Sequence, residues 1–289
     1  MTHASFVELA LARGNVRLEY RWITPTGRAA AQPPDAPLVV FLHEGLGSVA
    51  MWRDYPQRFC DAGGYRGLVY SRPGYGRSTP RPAAERWPAT FMHEQASDVL
   101  PQLLAALRVG VGVDRPWLFG HSDGASIALI HATMHADAVA GVIAVAPHII
   151  VEPLSLHSIR LARDAYATGD FRTRLARHHD DVDSAFYGWN DAWLAPAFAG
   201  WSIEPLLSAL RCPILAVQGA DDEYGTLAQV DGIRRRAAQT EVVVIPACGH
   251  SPHRDAPQAL TGAAIEFITR HALATRPVNA FKEECNDCS

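Results

Sequence analysis

Ser122 stands at the centre of Gly-His-Ser-Asp-Gly, residues 120–124, a G-x-S-x-G pattern that can present a serine nucleophile. The pentapeptide alone is weak, but an apolar run precedes it and an amphipathic helical pattern follows it. The flanking glycines permit a sharp turn from strand to helix. Ser122 would then lie at a helix N-terminus, where free N–H groups favour developing negative charge. An ordinary helix N-cap serine is the alternative.

A candidate base for this serine follows the last apolar run of the sequence. A serine hydroxyl is a poor nucleophile at neutral pH, so it needs a base within hydrogen-bond reach. Of the 13 histidines, His250 lies on the loop after the last predicted strand, at the same sheet edge as Ser122. His253 lies three residues further along that loop and is the alternative. We predict His250 as the base.

The base needs an orienting carboxylate, and three acidic side chains follow the preceding predicted strand. Asp221, Asp222 and Glu223 all lie in the stretch AVQGADDEYG, at the same carboxyl edge. The periodicity of the sequence does not show which of the three carboxylates orients the base.

The elements that must position these residues alternate along the chain. FVELALA and VRLEYRWIT flank RGN, a pattern typical of a β-hairpin. Short apolar runs then alternate with helix-length segments: LVVFL, GLVYS, PWLFG, VAGVIAVA, PILAVQG and EVVVIP. Such runs indicate a mostly parallel sheet with helices on both faces. The sequence therefore predicts a doubly wound α/β protein with an N-terminal β-hairpin.

The alternation stops between Pro147 and Pro213, for about 65 residues, far more than an ordinary connection. The segment is rich in helix formers and aromatic residues, so we predict an inserted helical cap over residues 148–210. The core is predicted to comprise residues 1–147 and 211–275, and residues 276–289 to form a loose tail.

The order serine, acid, histidine, each after a successive strand, resembles the α/β-hydrolase fold family. FLHEGLGS resembles the family's His-Gly-x-x-Gly oxyanion loop, and SRPGYGRS its Asp-Arg-x-Gly-x-Gly-x-Ser loop. CGHSPHRDAP resembles its Gly-His-x-x-x-x-Glu-x-Pro segment, and the match runs from about Leu38 to Leu273. Ser71 and Asp255 depart from the family's acidic residues, but neither belongs to the predicted triad.

The resemblance also implies roles for particular residues. The family's acid commonly stands three residues after the glycine that closes its strand, which here implies Asp222, with Asp221 next. By the same pattern, the backbone N–H groups of Gly45 and Asp123 would hold the oxyanion. The implied mechanism is that of a Ser-His-Asp hydrolase with an acyl-enzyme intermediate.

Glu44 is unusual because it places a carboxylate in the predicted oxyanion loop. A charge about 5 Å from an oxyanion would cost on the order of 3 kcal/mol at an effective dielectric near 20. We therefore expect the Glu44 side chain to point away and to pair with Arg72 or Arg53. A role for Glu44 as an acid/base or in the substrate pocket is the alternative.

Other side chains admit two interpretations each. Trp189 and Trp193 share a helix face at i, i+4 spacing and either pack under the cap or line the pocket over Ser122. His43 is interpreted as bracing the loop. RHHDDVD and the pair Cys285 and Cys288 have some features of metal sites, but a solvated face and a lone half-site are the simpler interpretations. No metal or cofactor is expected.

Composition excludes several classes of protein. The net charge of -4 and pI near 6.3 give no basic face for nucleic acid. The sequence shows neither a signal-peptide pattern nor an apolar run long enough to span a bilayer, and its five cysteines form no disulfide framework. We therefore expect a cytoplasmic protein without nucleic-acid or membrane partners; a homo-oligomer is left open.

The prediction from the sequence is a carboxylesterase-like serine hydrolase that acts on small or medium ester-like molecules with an apolar or aromatic part. Hydrolysis of a carbon–carbon bond in a diketone, of a thioester or of a lactone is the alternative within the same fold. A non-catalytic ligand-binding protein of this fold is the alternative from another class.

Overall fold

The computed structural model describes residues 4–26, 36–110 and 115–274, which form an eight-stranded sheet. The strands are β1 (Ser5–Leu11), β2 (Gly14–Ile23), β3 (Leu38–Leu42), β4 (Arg66–Tyr70), β5 (Trp117–His121), β6 (Gly141–Val145), β7 (Ile214–Gly219) and β8 (Thr240–Ile245). Their order is β1-β2-β4-β3-β5-β6-β7-β8. β2 pairs antiparallel with β1 and β4, and the other neighbours are parallel. This confirms the predicted mostly parallel sheet with an N-terminal hairpin.

The central strands are buried on both faces, which explains their continuous apolar sequences. Every residue of β3, β5, β6 and β7 is buried. Side chains of a strand alternate between faces, so Val39 and Phe41 join one hydrophobic core while Val40 and Leu42 join the other. The sheet therefore needs helices on both sides.

Ten α-helices accompany the sheet in the described residues. They are α1 (Tyr55–Gly63), α2 (Phe91–Glu94), α3 (Leu100–Ala106), α4 (Asp123–Met134), α5 (Pro153–Thr168), α6 (Phe171–Leu175), α7 (Val182–Leu194), α8 (Ala228–Arg236), α9 (Pro252–Asp255) and α10 (Pro257–Ala274). A π-helical turn, Gln95–Val99, joins α2 to α3. None of the helices in the described ranges is long and apolar enough to cross a membrane.

The long interval between β6 and β7 holds α5, α6 and α7, followed by two short 3-10 helices. An isolated bridge between Ile150 and Ser202 lies near its two ends. The division of the chain into core and cap stays a prediction. The predicted tail at residues 276–289, with Cys285 and Cys288, lies outside the described residues.

The parallel register brings the functional loops to one edge of the sheet. Leu42 at the end of β3 pairs with Gly120 of β5, and His121 of β5 pairs with Val145 of β6. On the far side, Gly219 of β7 pairs with Ile245 of β8. The loops that follow β3, β5, β7 and β8 therefore leave from one carboxyl edge, where α/β sheets usually bind ligands.

Candidate active site

Ser122 occupies a strained turn between β5 and α4. Its φ of 54° lies in the left-handed region, which a residue other than glycine rarely adopts. A β-carbon at Gly124 would lie 2.1 Å from Leu42 O, and one at Gly120 would lie 2.3 Å from Gly124 O. Only glycine fits these two positions, so the flanking glycines allow the turn that projects Ser122 from the sheet edge.

Ser122, His250 and Asp222 form one hydrogen-bonded line. His250 Nε2 lies 2.9 Å from Ser122 Oγ, and His250 Nδ1 lies 2.9 Å from each Asp222 carboxylate oxygen. An ionised carboxylate can only accept a hydrogen bond, so Nδ1 carries the ring proton and Nε2 is left to accept from the serine hydroxyl. The structure brings the three predicted triad residues together; their catalytic roles stay predictions.

Asp222 is fixed by donors on the β7–α8 loop. Its oxygens accept hydrogen bonds from Gln218 Nε2 at 2.5 Å, from Tyr224 N at 2.8 Å and from Gly225 N at 3.1 Å. Burial alone would raise the pKa of Asp222, but the hydrogen bond and charge of His250, with the Tyr224 N–H, hold it below its ordinary value. The carboxylate is therefore ionised and aimed at Nδ1.

The alternative residues face elsewhere. Glu223 Oε2 accepts from the His250 backbone N–H at 3.0 Å, so this carboxylate braces the main chain of the base loop. Asp221 is exposed. His253 is buried with its ring centroid 5.1 Å from that of Trp52. Neither of these two residues contacts Ser122.

A tight turn follows β3, and we call residues 44–47 the β3 turn. Gly47 N donates to Glu44 O over 3.0 Å. The same carbonyl accepts from His43 Nδ1 at 2.7 Å and from Arg72 Nη2 at 2.8 Å. His43 Nε2 in turn accepts from Arg72 N at 3.0 Å, which assigns the proton of His43 to Nδ1. These contacts agree with the interpretation of His43 as a loop brace.

The two predicted oxyanion donors border the same cavity as Ser122. Gly45 belongs to the β3 turn, and Asp123 is the first residue of α4. Within the described residues, neither backbone N–H makes a hydrogen bond. Both groups are thus free to donate, and their donation to an oxyanion stays a prediction.

The predicted partner of Glu44 was wrong. Arg72 is completely buried beneath the β3 turn and contacts the Glu44 carbonyl, while Arg53 is exposed. The Glu44 carboxylate instead faces His121, with Oε2 3.5 Å from Nδ1, and Arg254, with Oε1 3.8 Å from Nη2. The guanidinium of Arg72 is held too deep to reach the side chain, whereas Arg254 approaches from α9.

Glu44 is ionised in this environment. Burial would raise its pKa, but the contact with His121 and the guanidinium of Arg254 hold the pKa well below its ordinary value. The carboxylate at the mouth of the β3 turn therefore faces the guanidinium of Arg254 and the ring of His121.

Asp123 carries a second buried carboxylate beside Ser122. Its Oδ1 accepts from Trp193 Nε1 at 3.1 Å, and its Oδ2 lies 3.7 Å from Arg72 Nη2. Burial raises the pKa of Asp123, and Arg72 and Trp193 oppose that rise. The side chain ties the turn after β5 to α7 and to the buried arginine.

The cavity over Ser122 has a volume of about 250 Å³ and a largely apolar wall. Ile159, Phe171, Leu175, Trp189 and Trp193 contribute to this wall, and Glu44 and Arg254 lie at its polar end. Trp189 and Trp193 share one face of α7, as predicted, and both line the cavity while being buried. The two tryptophans therefore pack in the interior and line the pocket at the same time, so the two interpretations are not exclusive.

Three basic side chains of the cavity were not identified from the sequence as part of the site. His121 precedes Ser122, Arg254 follows His250 by four residues, and His148 follows β6. Their positions after strands at the carboxyl edge were the available signal. The His148 ring lies 5.6 Å from that of His250, and burial lowers its pKa to about 3, so it is neutral.

The side chains of RHHDDVD hold loops together. His179 Nδ1 accepts from Gly76 N at 2.8 Å, and its Nε2 donates to Leu46 O at 3.0 Å. Asp181 caps α7 by accepting from Ser184 N at 2.8 Å. Across the described ranges, no group of three or more His, Cys, Asp or Glu side chains is arranged to hold a metal ion.

Comparisons with known proteins agree with this fold. The sequence model of the alpha/beta hydrolase family matches residues 39–263. The chain is similar to 2-succinyl-6-hydroxy-2,4-cyclohexadiene-1-carboxylate synthase of Enterobacter sp. (strain 638), with 26% identity across 84% of this chain and 95% of that protein. It is also similar to 2-hydroxy-6-oxo-6-phenylhexa-2,4-dienoate hydrolase of Burkholderia cepacia, with 21% identity across 80% of this chain and 87% of that protein. The solved proline iminopeptidase of Mycobacterium smegmatis has a TM-score of 0.74 at 17% identity, covers 94% of this chain and 100% of its own, and shares the fold.

Proposed function

Because the chain belongs to the alpha/beta hydrolase family, we propose that it is a serine hydrolase that cleaves carboxylic esters through an acyl-enzyme intermediate. The observation that carries this proposal is the line of contacts from Asp222 through His250 to Ser122 Oγ, with 2.9 Å on each side of the imidazole. A base within this distance can accept the hydroxyl proton as the serine attacks.

The proposed reaction has two halves. His250 Nε2 takes the proton of Ser122 as Oγ bonds to the ester carbonyl carbon, and the carbonyl oxygen accepts from the N–H groups of Gly45 and Asp123. The protonated His250 then gives its proton to the departing alkoxide, which leaves the acyl group on Oγ. Water next attacks the acyl carbon, His250 accepts its proton and returns one to Ser122 Oγ, and the acid is released.

The cavity supports small or medium substrates with an apolar part. Its volume of about 250 Å³ lies below the usual range of pockets for drug-sized ligands. The wall formed by Trp189, Trp193 and Ile159 offers apolar surface, so an aliphatic or aromatic group fits there better than a charged one.

The test measures release of p-nitrophenol from p-nitrophenyl acetate and butyrate. Ser122→Ala should lower kcat/KM on the order of 10⁴-fold or more because it removes the nucleophile. Ser208→Ala, on the exposed 3-10 helix Glu204–Ala209, is the matched control and should retain the wild-type rate. A fluorophosphonate should also label Ser122. Equal rates for wild type and Ser122→Ala would refute the assignment.

Hydrolysis of a carbon–carbon bond beside a ketone is the second candidate. It is supported by the similarity to a hydrolase named for a hydroxy-oxo-phenyl dienoate across 80% of this chain. A panel of esters, a thioester, a lactone and a vinylogous diketone distinguishes the candidates. The highest kcat/KM on the diketone would favour the second, and tight binding without turnover of any member would favour a non-catalytic ligand-binding protein.

A further inference from the structure

A polar cluster joins three loops around Ser122 and is not used in the mechanism above. Glu44 comes from the β3 turn, His121 immediately precedes Ser122, and Arg254 lies on α9, four residues after His250. His121 Nε2 lies 2.7 Å from His250 O, and His121 Nδ1 lies 3.5 Å from Glu44 Oε2. The His121 ring therefore lies between the β3 turn and the loop of the base.

Both ring nitrogens of His121 face an acceptor. A carbonyl oxygen and a carboxylate accept hydrogen bonds but donate none, whereas a neutral imidazole has a single N–H. A neutral ring would leave one nitrogen lone pair directed at an oxygen in a site where His121 is 1% exposed. A doubly protonated ring donates from Nε2 to His250 O and places positive charge 3.5 Å from the ionised Glu44 carboxylate, although Nδ1 makes no hydrogen bond there.

We propose that Glu44 and His121 form an ion pair that positions the His250 loop and neutralises the carboxylate beside the oxyanion donors. This inference rests on the proposed ester hydrolysis. Glu44 and His121 are positioning residues, because they act through the His250 carbonyl and through the charge near the β3 turn and do not react with substrate.

The surroundings of His121 limit which groups can affect this pair. The charged and titratable groups that face it are Glu44 from the β3 turn, His250 from the loop after β8, His253 and Arg254 from α9, and His148 after β6. Burial lowers the pKa of His253 to about 2 and that of His148 to about 3, so both are neutral. Glu44 is thus the only anion in this set, and Arg254, at 3.8 Å, is its second and more exposed cationic partner.

Replacement of His121 alone should therefore lower kcat more than replacement of both Glu44 and His121. Without His121 only the more exposed Arg254 offsets the carboxylate, whose charge about 5 Å from the oxyanion would slow the reaction by up to about 10²-fold at an effective dielectric near 20. The same charge favours the protonated form of His250, which cannot act as a base. With the carboxylate also removed, both penalties disappear.

The test uses amide replacements that keep shape and change charge. His121→Gln keeps a donor near the position of Nε2 and so can still bond to His250 O, but it cannot carry charge. We expect kcat on p-nitrophenyl butyrate to fall about 10- to 100-fold with little change in KM, and the acid limb of kcat/KM to move up by about one pH unit. Glu44→Gln should cost less, and Glu44→Gln/His121→Gln should be faster than His121→Gln alone. His157→Gln, on the exposed side of α5, is the matched control.

Multiplicative losses of kcat in the double variant, or an unmoved acid limb of the kcat/KM profile in His121→Gln, would overturn the proposal.

A direct measurement that needs no variant to be active is ¹⁵N NMR of histidine-labelled wild type near pH 8. One imidazole should show both nitrogens protonated, and that signal should be absent in Glu44→Gln. A spectrum with only neutral imidazoles would also overturn the proposal. Failure of the ester hydrolase assignment would be recognised separately, because wild type and Ser122→Ala would then hydrolyse the p-nitrophenyl esters at equal rates.

Discussion

Trp193 Nε1 donates a hydrogen bond to Asp123 Oδ1 over 3.1 Å, and this bond joins α7 to the residue that follows Ser122. Both side chains are 1% exposed, so water does not replace the bond if it is lost. This buried hydrogen bond therefore joins the helix that lines the cavity to the turn that carries the candidate nucleophile.

Trp193→Phe should destabilise the protein because it leaves a buried carboxylate oxygen without its donor. We expect the free energy of unfolding in urea to fall by about 1 to 3 kcal/mol, and kcat/KM for p-nitrophenyl butyrate to fall as Asp123 shifts.

Trp201→Phe is the matched control for that change. Trp201 is also buried, but its Nε1 finds no hydrogen-bond partner among the described residues. Trp201→Phe removes ring volume but leaves no acceptor unsatisfied. Its loss of unfolding free energy should therefore be smaller than that of Trp193→Phe. Equal losses for Trp193→Phe and Trp201→Phe would show that the bond to Asp123 contributes nothing beyond packing.

Gly45→Ala should disturb the β3 turn. A β-carbon there would lie 2.2 Å from Trp189 Nε1, so either the indole or the turn must move. Because the Gly45 N–H is a proposed oxyanion donor, we expect kcat for p-nitrophenyl acetate to fall about 10- to 1000-fold.

The control for Gly45→Ala is Gly200→Ala, where a β-carbon would meet nothing within 4 Å. It should retain wild-type kcat. If Gly45→Ala were as active as this control, the β3 turn would not supply an oxyanion donor at that position.

Stability should fall as pH drops below about 6.5. Burial penalises the charged form of five of the buried histidines and lowers their pKa values: His43, His131, His148, His179 and His253. The unfolded chain binds protons at these rings near pH 6.5, whereas the folded protein does not until a lower pH. The unfolded state therefore binds more protons in between, and each ring removes about 1.4 kcal/mol of stability per pH unit. Urea unfolding should show a loss of at least about 3 kcal/mol from pH 7 to pH 5.

His131→Gln isolates one of these rings. His131 lies on α4, its Nδ1 contacts Ala96 O at 2.8 Å, and its pKa is lowered to about 4. The variant should be less stable than wild type at pH 8. Between about pH 4 and 6.5, its free energy of unfolding should change less steeply with pH, because unfolding of the variant takes up about one proton fewer. An unchanged slope would mean that this ring is already protonated in the folded protein.

Gly262→Ala should stabilise the protein. Gly262 lies inside α10, is exposed, and a β-carbon there would meet nothing within 4 Å. Alanine reduces the freedom of the unfolded chain and favours the helix, so the free energy of unfolding should rise by about 0.4 to 1 kcal/mol. A loss of stability in urea would contradict this expectation.

The strands and the loops of the candidate site could be predicted because they depend on local patterns. Continuous apolar runs specify strands buried on both faces, and parallel strands bring their carboxyl ends to one edge. That geometry alone places Ser122, His250 and the cluster Asp221 to Glu223 near one another, and the family resemblance then selected Asp222.

The sequence by itself therefore determined the sheet, the sharp turn at Ser122 and the set of candidate catalytic groups, since backbone preferences and burial act over short stretches of chain. Only the tertiary structure decided the partners of charged side chains. Glu44 could reach several cations in principle; its contact with His121 depends on β5 lying beside β3, and its contact with Arg254 depends on α9 lying close to the β3 turn. Likewise, Trp193 reaches Asp123 because α7 folds back over α4, at a separation of 70 residues. Such contacts depend on distances between elements far apart in sequence, which no periodicity specifies.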